Sequence, residues 1–192
     1  LQHFLGYEIT SNHDVFNPDT AILMDFRCDQ SRGVHFIYYL PFTQRRALVE
    51  STLFSTSLVS EDFYDKAIKH YLANHLGCTD YTIKRRERGV IPMASLQQRE
   101  SDLTGIGANG GAIRPSSGYA FSFIQKQIDQ ISNNAKAGKP LQVKKPHSRF
   151  ELMMDQIFLR VIRRQPTLAP VIFTSLARYL NGDEFACFLS GE

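Results

Sequence analysis

Tryptophan is absent from the 192 residues, and cysteine is scarce. Cys28, Cys78 and Cys187 lie far apart, and no two of them make a C-x-x-C pair. That odd, scattered set excludes a disulfide framework and a cysteine zinc site, and it points to a reducing compartment. The six histidines show no metal-ligand spacing, so no metal is expected. No apolar run approaches the ~20 residues of a membrane-spanning helix. Charge of one sign is not in excess either. A net charge of +3 is too mild to argue for nucleic acid, which is not expected as a partner. There is no initiating Met and no signal peptide, and Leu1 opens directly on an apolar segment. The sequence therefore reads as a piece of something longer.

What is present is core-forming material. Hydrophobic residues make up 43% of the chain, with fourteen Phe and eight Tyr, which excludes disorder as an overall description. The first half is sheet-rich. Strands are expected over residues 1–9, 21–28, 34–40, 46–53 and 81–91, and the three between 21 and 53, joined by short polar turns, suggest an antiparallel meander. One helix is expected over 60–76, from Ser60 as N-cap to Gly77 as terminator, with Phe63, Ala67, Ile68, Tyr71 and Leu72 as its apolar stripe. After a short strand at 102–106 the second half is helical, over 117 to about 134, 147–164 and 168–180, with a last short helix beyond Asn181-Gly182. The fold class is α/β in the α+β sense: an antiparallel-rich sheet followed by C-terminal helices.

The stretch TGIGANGGAIRPSSGYAF (104–121) holds a nominal G-x-G-x-x-G at Gly105, Gly107 and Gly110. A dinucleotide turn needs a helix running straight on from the last glycine. Pro115 prevents this, because Arg114, the residue before it, avoids the helical region. The helix must begin near Pro115 or Ser117. The glycines then either let backbone approach a ligand, with an anion-friendly helix end behind them, or simply make a tight turn.

Acids in apolar strands are the candidates for chemistry. Glu50 sits in ALVESTL, where a charge is costly. Strand alternation also allows it to point to solvent, with Val49 and Ser51 on the other side. Asp25 in LMDF is open to a structural role. Glu87 in RRERG is expected to pair with neighbouring arginines on a solvated face. Phe36, Tyr38, Tyr39, Phe42 and Phe54 suit either an aromatic tunnel or ordinary core.

Several segments in order resemble the lycopene cyclase family of flavoproteins. They are FLGYEI (4–9), AILMDFRCDQ (21–30), FIYYLPFTQRRALVEST (36–52), RRERGVIPM (85–93), GIGANGGAIRPSSGYAF (105–121) and FELMMDQIFLRVIRRQP (150–166). The resemblance implies a two-domain FAD protein of which the N-terminal Rossmann half is missing here. It divides the chain into a substrate-domain sheet with one helix (1–101), a strand-turn-helix contacting FAD (102–135) and a C-terminal helical region (136–192). It implies an enzyme of the lycopene beta-cyclase type, an intramolecular lyase or isomerase of carotenoid biosynthesis, inactive as the isolated piece. Alternatives are a related FAD-dependent oxidoreductase or monooxygenase, and a non-catalytic carotenoid- or lipid-binding module.

By the same resemblance Glu50 is the catalytic acid, with the reduced flavin as the other candidate proton donor. The family's second acid falls on Ser51, while Thr52 is kept. Gly107, Gly110, Arg114, Pro115, Ser116, Gly118 and Tyr119 would line FAD, although the aspartate of the wider class falls on Ala108. Phe36, Tyr38 and Phe54 would contact substrate. The implied cofactor is FAD in its reduced form, with NADPH or NADH as reductant. The implied partners are lycopene or a related acyclic carotenoid and a membrane surface. The basic, apolar helices between Phe150 and Phe188 offer an interfacial face, and the expected location is cytoplasmic and peripherally membrane-associated.

Overall fold

The structure is a computed structural model that describes residues 1–94, 104–184 and Cys187. The chain forms two compact units, Leu1–Ile91 and Pro92–Glu192. The regions expected at 102–135 and 136–192 both fall in the second.

Unit 1 is a five-stranded antiparallel sheet with one helix. The strands are β1 (Gln2–Ser11), β2 (Ile22–Asp25), β3 (Val34–Pro41), β4 (Arg46–Phe54) and β5 (Tyr81–Ile91), in the order β2-β3-β4-β1-β5. The meander of β2, β3 and β4 is as expected, and β1 slots between β4 and β5. Only β2 is much shorter than its apolar run. Asp25 ends it, because its carboxylate turns back to accept from the Arg27 backbone N–H at 3.0 Å, an Asx turn that competes with the ladder.

Helix α1 (Glu61–His75) covers one face of the sheet. It begins after Ser60 and is followed by Gly77 at φ +64°. Tyr64, Ile68, Tyr71 and Leu72 are its buried residues, and they pack with Leu5, Tyr7, Ile9, Ile37, Tyr39, Val49 and Leu53. Odd-numbered residues of β1, β3 and β4 therefore face the helix. Even-numbered residues of the same strands face the other way.

Beyond Pro92, Met93 and Ala94, the described part of unit 2 runs through the glycine turn, α2 (Phe121–Lys136), α3 (Arg149–Arg164), a 3₁₀ turn (Pro166–Leu168) and α4 (Ala169–Tyr179). Of the strand expected at 102–106, residues 104–106 are not in a strand and the other two lie outside the described residues. The helix expected from 117 starts instead at Phe121. Gly118 at φ +71° breaks the helical path, and the Tyr119 N–H bonds to Ser117 Oγ at 3.3 Å, so PSSG is a turn of its own. The cap at α3 is a full capping box between Ser148 and Glu151. That helix leaves most of its large apolar residues exposed. Phe150, Met153, Met154, Ile157 and Val161 are exposed, while Asp155 and Ile162 are buried. The last short helix lies mostly outside the described residues.

Candidate functional site: an acid on the open face of the sheet, and a glycine turn

Glu50 sits on the sheet face away from α1. Its flanking residues Val49 and Ser51 are fully buried on the helix side, so alternation puts Glu50 on the open face. It is nevertheless half-buried. Thr52 Oγ1 donates to Glu50 Oε1 at 2.6 Å. Burial pushes the Glu50 carboxyl up to about 7; the Thr52 hydroxyl opposes this and the Glu87 charge adds to it. This is the environment that keeps a carboxylic acid protonated near neutral pH.

The three aromatic candidates share this face. Tyr38 is the direct cross-strand partner of Glu50. Phe36 lies edge-on to Tyr38 and to Phe54, each with ring centroids 5.2 Å apart. Burial, then the Glu50 charge, pushes the Tyr38 hydroxyl up to about 12. Tyr39 points to the helix side instead, and Phe42 is exposed beneath Arg46, whose guanidinium carbon is 5.3 Å from its ring centre.

Ser51 is on the helix side, where its hydroxyl meets His35 Nε2 at 2.8 Å. An acid there would sit on the face opposite Glu50. The acid that approaches Glu50 is Glu87, two strands away across Gly6. Gly6 pairs with Glu50 on one side and with Glu87 on the other. Glu87 does not pair with its neighbouring arginines. Arg86 and Arg88 alternate to the helix side and face Glu61 at 3.7 and 3.6 Å. A sequence signal for this exists on another strand: Gly6, a glycine inside β1, marks close approach of side chains. A Cβ on Gly89 would lie 2.7 Å from Phe4 Cζ.

Asp25 is structural. It takes Arg27 at 2.5 Å and the Tyr71 hydroxyl at 2.8 Å. Burial alone would raise its carboxyl, but Arg27 and Tyr71 together hold it down to about 2. A cleft lined by His3, Phe4, Tyr64, Arg88 and Gly89 opens at one end of the sheet and includes neither Glu50 nor Glu87.

In unit 2 the glycine turn is anchored by Gln127 of α2, which is buried. Its Oε1 accepts from the Gly107 N–H at 3.0 Å and its Nε2 donates to the Gly110 carbonyl at 2.8 Å. A Cβ on Gly110 would stand 2.5 Å from the Gly105 oxygen, so that position closes the turn on itself. Gly107 and Gly111 are left-handed, at φ +62° and +73°, and nothing crowds them. Arg114 bonds through its N–H to the Tyr119 carbonyl at 2.7 Å and accepts from the Gly118 N–H at 2.8 Å. Its guanidinium is 2.9 Å from the buried Asp155 and 3.3 Å from Glu151. Pro115, Ser116 and Ser117 form the turn before α2, whose N-terminus has no side-chain cap and no acid in its first turn. Side-chain-free backbone beside an uncapped helix start suits a flat, anionic group.

The arrangement defines a class: a mixed α/β protein with an acid on an aromatic-lined sheet and an anion-ready turn. Residues 1–174 match the family described as lycopene cyclase protein. The chain belongs to that family. It is 30% identical over 141 residues to the lycopene beta-cyclase of Paracoccus sp. (strain N81106 / MBIC 01143), covering 69% of this chain and 36% of that protein. It is 27% identical over 180 residues to the lycopene beta-cyclase of Pantoea ananas, covering 88% and 46%. It thus spans less than half the length of these relatives. A geranylgeranyl bacteriochlorophyll reductase-like protein from Thermoplasma acidophilum has a similar fold, with a TM-score of 0.53 at 14% identity, covering 87% of this chain and 41% of that one.

Proposed function

We propose that this chain is part of a lycopene beta-cyclase that closes the ψ-ends of lycopene, or a related acyclic carotenoid, into ionone rings by acid catalysis without net redox change. The observation that carries this is the half-buried Glu50, raised to about 7, beside Tyr38, Phe36 and Phe54. Glu50 gives its proton to the terminal double bond. The carbocation that forms is attacked by the next double bond, the ring closes, and a ring carbon loses a proton. One proton enters and one leaves, so the product is an isomer of the substrate. Aromatic ring faces stabilise the cation in passing, and the carboxylate left behind attracts it.

FAD fits the turn of unit 2 by the features already described. Gly107, Gly110, Arg114, Pro115, Ser116, Gly118 and Tyr119 would hold it. Gly107 and Gly110 serve mainly by lacking side chains, since Gln127 already takes the Gly107 N–H. Arg114 is a fixed neighbour rather than a free cation. The flavin, reduced by NADPH or NADH, would supply negative charge. The exposed apolar residues of α3, with Arg160, Arg163 and Arg164 on the same helix, favour a membrane surface as the place of work. No helix among the described residues is long and apolar enough to cross one.

The test is lycopene turnover by the complete protein carrying this chain, with FAD and reductant. Ring formation without stoichiometric reductant use supports the reading. Reductant consumed in step with product would make it an oxidoreductase. Full ring formation by Glu50→Gln would remove Glu50 from the mechanism.

A further inference from the structure

We propose that Glu87 is the positioning partner of Glu50, its carboxyl group reaching over Gly6 so that its charge helps Glu50 keep its proton. Adjacent strands stand ~4.8 Å apart, so residues two strands apart are separated by roughly twice that, within reach of two glutamate side chains. The residue between them must not block the space, and Gly6 does not. A Cβ built on Gly6 would lie 3.1 Å from Glu87 Cγ, 3.3 Å from Glu87 Oε1 and 3.5 Å from Glu50 Cβ. The Glu87 carboxyl therefore leans over the glycine toward Glu50, filling the room that a side chain would need.

Among the described residues no cation separates the pair. On this face Arg46 bonds to Glu8 at 2.7 Å, and Arg85 stands opposite Glu8, two residues along β5 from Glu87. Tyr38 on β3 is uncharged in this range, and Thr52 donates to Glu50. Arg86 and Arg88 are turned to Glu61 of α1 on the opposite face. Neither Glu50 nor Glu87 makes an ion pair among the described residues. A like charge reaching over the glycine disfavours ionisation of Glu50, so Glu50 keeps its proton to a higher pH than it would alone. The Glu87 charge among the causes that raise Glu50 agrees with this.

As a source of catalytic protons, the pair rests on the reading of Glu50 given above. Once its proton has gone to the substrate, both carboxylates are charged and face the cation. The proton lost by the ring carbon can then return to Glu50, which restores the starting state.

The experiment is a carbon-13 NMR titration of the glutamate carboxyls in the 192-residue chain, with the amide spectrum as a check of folding. Unaltered, Glu87→Gln and Glu87→Asp chains are compared, and the same substitutions are assayed for lycopene consumption across pH in the complete protein. In Glu87→Gln, isosteric and half-exposed, the Glu50 midpoint should fall by roughly one pH unit. Glu87→Asp, which keeps the charge, should bring it back up. The alkaline limb of the activity profile should move the same way, by up to tenfold in rate at a fixed pH above neutrality. An unmoved or raised Glu50 midpoint in Glu87→Gln overturns the proposal, whatever the activity. A midpoint that moves as stated, with no lycopene consumed by any of the three, leaves the pair standing and removes the cyclase reading instead.

Discussion

Among the described residues on the open face of the sheet, Glu50 and Glu87 approach each other with no cation between them, while in the glycine turn of unit 2 Arg114 is met by two acids, Asp155 at 2.9 Å and Glu151 at 3.3 Å. The first arrangement costs free energy and holds a proton. The second satisfies its charges and fixes a loop. Asp25 belongs with the second kind although it lies in unit 1, because Arg27 and Tyr71 complete it. The lesson is that burial alone does not mark an acid for chemistry. A buried acid without a cation can exchange its proton near neutrality; a buried acid with one cannot.

The largest effect expected to sharpen this contrast is on turnover. Glu50→Gln in the complete protein should lower lycopene cyclisation about 10²–10⁴-fold, the range for loss of a general acid. Retention of more than a tenth of the activity would break the contrast at its centre.

Next is the charge cluster of unit 2. Asp155→Ala removes the buried partner of Arg114 and leaves it only the longer contact to Glu151, and should cost about 2–4 kcal/mol in urea unfolding of that unit. A loss under about 0.5 kcal/mol would show that the turn does not depend on it.

The pH dependence of stability should run in opposite directions for the two acids of unit 1. The folded value of Glu50 is raised, from 4.5 to about 7. Stability contributed by its neutral form is full below about pH 4.5 and is lost as pH rises through about 7. Glu50→Gln should remove that loss and be the more stable protein at pH 8, by on the order of 2 kcal/mol. Asp25 is depressed, from 3.8 to about 2. Its contribution is present above about pH 3.8 and is lost as pH falls through about 2. Asp25→Asn should therefore be destabilised at pH 6 by about 1–3 kcal/mol and should converge with the unaltered chain near pH 2. Chemical denaturation at pH 2, 4, 6 and 8 measures all of these. Matching slopes for the two variants would show that the two acids are alike after all.

Much of this was legible along the chain. Short apolar and aromatic runs between polar turns placed β1, β3 and β4, and a 3.6-residue stripe with Ser60 and Gly77 at its ends placed α1, because these signals are local. Alternation also put Val49 and Ser51 opposite Glu50. The start of α2 was misplaced because Pro115 permits a helix there, while Gly118, in a left-handed turn, prevents it from continuing. The apolar residues of α3, which suited an interfacial face, are exposed, while Asp155, polar in any reading, is buried because Arg114 comes to it from another segment.

The sequence by itself determined the elements, the family and the candidate acid, since each depends on residue types at short spacing. Only the tertiary structure decided which charges meet. Glu87 and Glu50 are 37 positions apart, and what joins them is the insertion of β1 between β4 and β5 with Gly6 at the shared rung. Strand order and register are long-range properties set by packing against α1. No local pattern around Glu87 distinguishes an acid paired with arginines from one leaning over a glycine toward another acid.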